Sequence, residues 1–253
     1  MTSKRNFQPF FSIVIPTLDE ESFLPTLLTS LSKQTLTDFE VIVADGNSQD
    51  KTKAIACSFA DYLPGFKFIN ISKRRVSIQR NTGVQAAQGK YLLFFDADSN
   101  INRHFLFRLH HQLKKEPVDF FTSKFNSDNL KLYDKFFMAL GNLFLIITAF
   151  CSRPMFPAAF LGCKRKVFLK MGGFKENLTI NEDFDFTLRC KQKGFNYKLI
   201  DQPRYAFSLR RMHHEGHFQV LAKYAFTFSH TILNINNQPI KIDYQMGGAR
   251  YNK

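Results

Sequence analysis

The sequence contains no tryptophan, and its four cysteines, Cys57, Cys151, Cys163 and Cys190, are scattered without a Cys-x-x-Cys pair. That spacing speaks against a zinc site or a disulfide framework and fits reduced thiols in a cytosolic protein. Acidic residues are few: 21 Asp and Glu stand against 35 Lys and Arg, for a formal net charge of +14. A balance of that sign draws anionic partners, whether nucleic acid, an acidic membrane face or phosphorylated substrates. Residues 1–11 hold no apolar segment followed by a small-residue cleavage site, so no secretory signal is expected. The sequons at Asn70 and Asn177 then read as chance matches. What the chain does have is apolar bulk. Its residues are 44% hydrophobic and include 30 phenylalanines, which speaks against disorder or low complexity. At 253 residues it has room for one large α/β domain or two small ones.

Near the middle, Leu92-Leu93-Phe94-Phe95 runs directly into Asp96-Ala97-Asp98. The apolar run reads as a buried strand, and its end places two carboxylates one residue apart where a buried element meets solvent. Desolvating a carboxylate is costly, and a divalent cation is the usual remedy. Hard oxygen donors suit magnesium or manganese. A pair of solvated turn residues is the plainer alternative.

Four short apolar runs, Ser12–Pro16, Phe39–Ala44, Phe66–Ile71 and Tyr91–Phe95, read as strands. Between them helices are expected at about Glu20–Lys33, Ser48–Ala60 and Ser77–Ala87, with Asp19 as an N-cap and Gly89 as a C-terminal glycine. Strand–helix–strand repetition predicts a mostly parallel sheet flanked by helices, and ligands of such sheets bind beyond the strands' carboxyl ends. Thr17-Leu18-Asp19, Asp45-Gly46 and Asp96-Ala97-Asp98 all follow strands, so acids collect at one end of the sheet. Further on, Arg103–Lys114 reads as a helix and Val118–Ser123 as a strand. Phe136–Ser152 carries no charge at all. It is either a core helix or one that dips into a membrane, and Lys131, Lys135, Arg153, Lys164, Arg165 and Lys166 nearby suit anionic lipid.

These motifs together carry a resemblance. Ser12-Ile13-Val14-Ile15-Pro16-Thr17-Leu18-Asp19-Glu20-Glu21 resembles the opening strand and loop of the family-2 inverting glycosyltransferases, which have the GT-A fold. Phe39–Asp50 is similar to that family's second strand and acidic turn. Arg80-Asn81-Thr82-Gly83 with Ala87-Gln88-Gly89 resembles the helix leading into its Asp-x-Asp motif, here Asp96-Ala97-Asp98. Gly172-Gly173-Phe174, Glu182-Asp183 and Arg189 resemble its acceptor-side loop and Glu-Asp motif. The match runs from about residue 11 to residue 201 in the family's order.

The resemblance implies a single GT-A, Rossmann-like domain over 11–205, with a nucleotide-sugar half at about 11–100 and an acceptor half at about 101–205. Residues 1–10 would form an N-terminal extension, and 206–253 a basic segment closing over the donor or touching membrane. A nucleotide-diphosphate sugar would be the donor. Pro16, Thr17, Glu20, Asp45, Arg80, Asp96, Ala97 and Asp98 would bind it, with Asp98 on the metal and Asp96 on the ribose. Asp183 would be the general base and Glu182 its neighbour, with Gly162 on the acceptor side. Inversion needs such a base, although Asn181-Glu182-Asp183 also reads as an ordinary helix start. Arg210 or Arg211 would reach the diphosphate, and His213 or His214 would add a metal ligand; a solvated basic helix face is the plainer reading. The family's membrane-embedded polymerases carry a Gln-x-x-Arg-Trp motif, which a chain without tryptophan lacks.

The expected partners are a sugar nucleotide, a glycan or lipid-linked acceptor and the anionic inner face of the membrane. A polyprenyl-phosphate acceptor is the alternative. A basic nucleic-acid-binding protein is a different class of reading, but the basic residues are dispersed and no recognised motif for that role occurs. A scaffold that has lost activity is a third.

Overall fold

A computed structural model describes residues 8–126 and 131–216 and, beyond them, 218–220, 222, 223, 226, 229, 247 and 248. The expected N-terminal extension, except for residues 8–10, and most of 206–253 past Gly216 lie outside the described residues. Seven strands form one sheet: β1 (Phe11–Thr17), β2 (Phe39–Asp45), β3 (Phe66–Asn70), β4 (Tyr91–Phe95), β5 (Phe120–Asn126), β6 (Phe160–Lys164) and β7 (Tyr197–Ala206). Their order is β3-β2-β1-β4-β6-β5-β7. The first four run parallel, β6 runs antiparallel to β4 and β5, and β5 and β7 are parallel to each other. Every residue of β1, β2 and β4 is buried. Strands covered on both faces need continuous apolar runs, and that is why these segments lack an alternating pattern.

The helices are α1 (Leu24–Ser32), α2 (Thr52–Ser58), α3 (Val76–Gln85), α4 (Phe105–Lys115), α5 (Leu132–Phe150), α6 (Arg165–Lys170), α7 (Glu182–Gln192) and α8 (Arg210–Glu215). Buried phenylalanines bind the layers: Phe94, Phe168, Phe174 and Phe186 pack ring on ring, as do Phe95, Phe105 and Phe160.

Three local expectations are corrected. Asp19 does not cap α1, which starts at Leu24 with Phe23 at the N-cap and Pro25 in its first turn, where the missing N–H costs nothing. Asp19 instead has φ 51°, and its Oδ1 accepts a hydrogen bond from the Gln49 amide at 2.7 Å. Gly89 does not end α3, whose C-cap is Ala86. It lies against β1, where a Cβ would come within 2.5 Å of the Ser12 nitrogen. The expected Ser48–Ala60 helix shortens to Thr52–Ser58, because Asp50 takes the Thr52 amide at 2.9 Å and begins the helix there. Helix α5 packs on β5 and β7 along one side and is only 28% buried over Tyr133–Phe150.

Candidate active site

The parallel strands end together, so the groups that follow them meet at one edge. β1 and β2 finish in register, Thr17 opposite Asp45. Asp45 is 2% exposed, and its carboxylate accepts three bonds: from the Thr17 hydroxyl at 2.8 Å, the Ser48 hydroxyl at 2.6 Å and the Ser48 amide at 2.8 Å. Gln79 of α3 sits beneath, donating to the Thr17 and Ala44 carbonyls at 2.6 and 3.1 Å. Pro16 and Ala97 are buried in the same walls. Asp19, Asn47 and Asn181 hold φ of 51°, 65° and 60° in the loops around this edge. Such left-handed backbone costs energy in residues other than glycine and gathers where a site is held in shape.

Arg80 of α3 joins this donor-side edge to the far half of the chain. It is 4% exposed; one terminal nitrogen donates to Asp96 at 2.8 Å and the other to Glu182 at 2.7 Å. The ring of Phe174 lies 5.7 Å from its guanidinium carbon. The next residue, Asn81, clamps the Phe174 backbone at both N–H and C=O, at 3.0 and 2.9 Å. Arg189 of α7 completes the brace: it donates to the Met171 and Gly173 carbonyls at 2.8 Å each and to Asp185 at 2.6 Å.

Asp183, on the first turn of α7, accepts from the Ala158 amide at 2.8 Å. Burial pushes its carboxyl above the ordinary aspartate range, while Arg80 and its amide donors hold it back. Glu182 is raised too, first by burial and then by the Asp183 charge. A carboxyl lifted in this way is a better proton acceptor at neutral pH than a free aspartate.

Arg210 of α8 faces the other side of the cluster. It makes a two-pronged pair with Glu20, at 2.7 and 2.9 Å, while its Nε lies 2.8 Å from Asp98. The Phe23 ring stacks 4.4 Å from the guanidinium. Burial raises Glu20 to about 7 in spite of Arg210, with Asp98 and Asp96 adding to the rise. Asp98 is also raised by burial, while Arg210 and a bond from Ser208 pull it down. Gly248 comes back to the same place: its amide donates to the Leu18 carbonyl at 2.9 Å, and a Cβ there would meet Glu20 at 2.6 Å.

Thus Thr17, Glu20, Asp45, Arg80, Asp96, Asp98, Glu182, Asp183 and Arg210 are linked or neighbouring, while three expected residues stand apart. Gly162 pairs with Leu93 and Phe121 inside the sheet, where a Cβ would strike the Phe121 ring at 2.0 Å; it is a packing position, not an acceptor contact. His213 Nε2 meets the buried Asp134 of α5 at 2.9 Å. Among the described residues no three His, Cys, Asp or Glu side chains gather to hold an ion by themselves. Arg211 is the next residue along α8, partly exposed.

Sequence reasoning missed Tyr205. It is fully buried at the end of β7, beside the Asn100–Ala206 bridge that ties this strand to the loop after Asp98. Burial, with the charges of Asp96, Asp98 and Asp183, drives its hydroxyl well above the usual tyrosine range, so it stays protonated. That hydroxyl finds no hydrogen-bond partner among the described residues. No local pattern could have announced it, since the pairing of β7 with β5 decides its place.

A family model described as "Glycosyl transferase family 2" matches residues 12–172. The chain belongs to glycosyl transferase family 2. Its relatives include a PGL/p-HBAD biosynthesis glycosyltransferase of Mycobacterium bovis, 42% identical over 94 residues, 37% of each chain. An uncharacterized glycosyltransferase of Haemophilus influenzae is 26% identical over 76% of this chain and 66% of its own. The chain spans little more than a third of the mycobacterial protein's length. Among solved structures, S. aureus TarS in complex with UDP matches 79% of this chain and 61% of its own, at TM-score 0.65 and 21% identity. The mannosyltransferase PcManGT of Pyrobaculum calidifontis, with GDP-Man and Mn2+, matches 81% of this chain and 58% of its own, at TM-score 0.66 and 19% identity. The family-2 chain shares their GT-A fold.

The cluster suits a divalent ion. Asp96 and Asp98 offer hard oxygen donors, and a cation, the Arg210 guanidinium, already stands against Asp98. Two carboxylates with phosphate oxygens and water are an ordinary set for magnesium or manganese.

Proposed function

We propose that the chain is an inverting transferase that moves a sugar from a nucleotide diphosphate to a hydroxyl of a glycan or glycolipid, using magnesium or manganese. The observation that carries this is the Asp96–Arg80–Glu182 bridge, which makes the donor-side and Glu-Asp motifs one cluster. Asp45 and Thr17 hold the nucleoside end, with Asp96 at the ribose. Asp98 would hold the ion, which would supply Lewis-acid stabilisation to the leaving diphosphate. Asp183 takes the proton of the acceptor hydroxyl as its oxygen bonds to the anomeric carbon and the bond to the diphosphate breaks on the opposite face. Its raised affinity for protons supports that role. The net charge of +14 supports work at the cytoplasmic, anionic face of a membrane. The domain partition is 11–205 for the transferase unit, with the segment from 206 closing on the donor side. The position of Arg210 and Gly248 against Glu20 supports that closure.

The test is Asp183→Asn with a panel of sugar nucleotides and manganese. Turnover should fall by about 10²–10⁴, the usual worth of a general base, while nucleotide binding persists. Wild-type turnover should climb as pH rises through the elevated Asp183 pKa, since the deprotonated form is the active one; the Asn variant should lack that limb. A phosphate acceptor needs no base, so retained turnover would instead favour the polyprenyl-phosphate reading, which the bare apolar face of α5 supports.

A further inference from the structure

Helix α5 is fastened to the sheet along one side. Asn142 clamps the Phe125 backbone, accepting from its amide at 3.1 Å and donating to its carbonyl at 2.9 Å. The Tyr197 hydroxyl donates to the Ala149 carbonyl at 2.7 Å, and Met138 and Leu145 are buried. Crossing a bilayer would strip these bonds from β5 and β7, so α5 does not span. Its opposite side carries Phe136, Leu140, Leu143, Ile147 and Phe150, spaced three and four residues apart and 36–88% exposed. The one acid of the helix, Asp134, is 2% exposed and turned to His213. Lys131 and Lys135 at one end and Arg153 past the other are exposed. An apolar seam without acids, bounded by cations, matches the boundary between acyl chains and anionic headgroups. A second copy fits poorly, because two chains of net charge +14 would face each other with the same cations.

We propose that this face is a membrane-docking surface: α5 lies in the plane of an anionic bilayer, its seam in the acyl boundary and Lys131, Lys135 and Arg153 at the headgroups. The consequence for catalysis rests on the transferase reading given above. Phe144 of α5 packs 6.1 Å from Phe184, next to Asp183, and Asp134 holds the helix that carries Arg210. Docking therefore sets the Glu-Asp motif close to the lipid surface, and the acceptor class that suits it is lipid-borne.

The experiment is co-sedimentation of the full chain with phosphatidylcholine vesicles, with and without phosphatidylglycerol, alongside the triple variant Phe136→Ser, Leu143→Ser, Phe150→Ser. The wild type should bind vesicles containing phosphatidylglycerol, more weakly as salt rises, and the variant should bind at least about tenfold less tightly at an unchanged melting temperature. Lys131→Glu with Lys135→Glu should lose the preference for phosphatidylglycerol. Absent wild-type binding, equal binding by the triple variant, or a wild-type dimer that the triple variant abolishes would each overturn the proposal. Vesicle binding through this face without any nucleotide-sugar thermal shift would sink the transferase reading and leave the surface standing.

Discussion

Arg80 and Tyr205 show how single side chains set the character of the cluster. Arg80 spends both terminal nitrogens on Asp96 and Glu182, so it is a buried brace between the two halves more than a free hand for the nucleotide. Tyr205 presents the opposite case, a buried hydroxyl with no described partner near three carboxylates. An unmet buried hydroxyl costs free energy. Tyr205→Phe should therefore leave the ligand-free protein equally stable or more stable by about 1 kcal/mol in chemical denaturation. A clear loss of ligand-free stability would show that the hydroxyl is satisfied within the protein.

At the scale of elements, β6 explains why the sheet needs a glycine in its middle. The Phe121 ring lies across Gly162, and Phe121, Phe160 and Tyr91 pack around that crossing, so the ring has nowhere to move. Gly162→Ala should cost about 1–3 kcal/mol by overpacking, and more if β6 shifts. The check is a urea midpoint that drops with an unchanged slope. Arg103–Lys114 and the start of α7 were legible in the sequence to within two residues, because amphipathic spacing and a polar start signal are local. The start of α1 was not. Asp19 has the chemistry of a cap, but its carboxylate was drawn to the Gln49 amide in the loop after β2.

Across the whole molecule, Arg210 ties α8 to the loop after β1, 190 residues away, and balances Glu20 and Asp98. Arg210→Ala would leave two buried carboxylates without their counter-charge, and breaking a buried pair in this way costs on the order of 3 kcal/mol. Thermal unfolding in chelator should show a clear drop. Manganese should raise the melting temperature of the variant more than that of the wild type, since the ion then meets Asp98 without a competing guanidinium. Equal manganese shifts in both proteins would remove Asp98 as the ion's ligand.

Five of the seven strands, the polar ends of β1, β2 and β4 and the family membership were written in the sequence, because buried strands demand apolar runs and the acids follow directly at their ends; β6 and β7 were not. Only the tertiary structure decided who meets whom. Arg80 and Glu182 are 102 residues apart, and nothing local to either announces the other. Sheet order set that pair, carried Tyr205 to the acids and turned His213 toward Asp134. Burial, equally non-local, raised the protonation of Glu20, Asp98 and Asp183, because a carboxylate pays for desolvation according to everything packed around it.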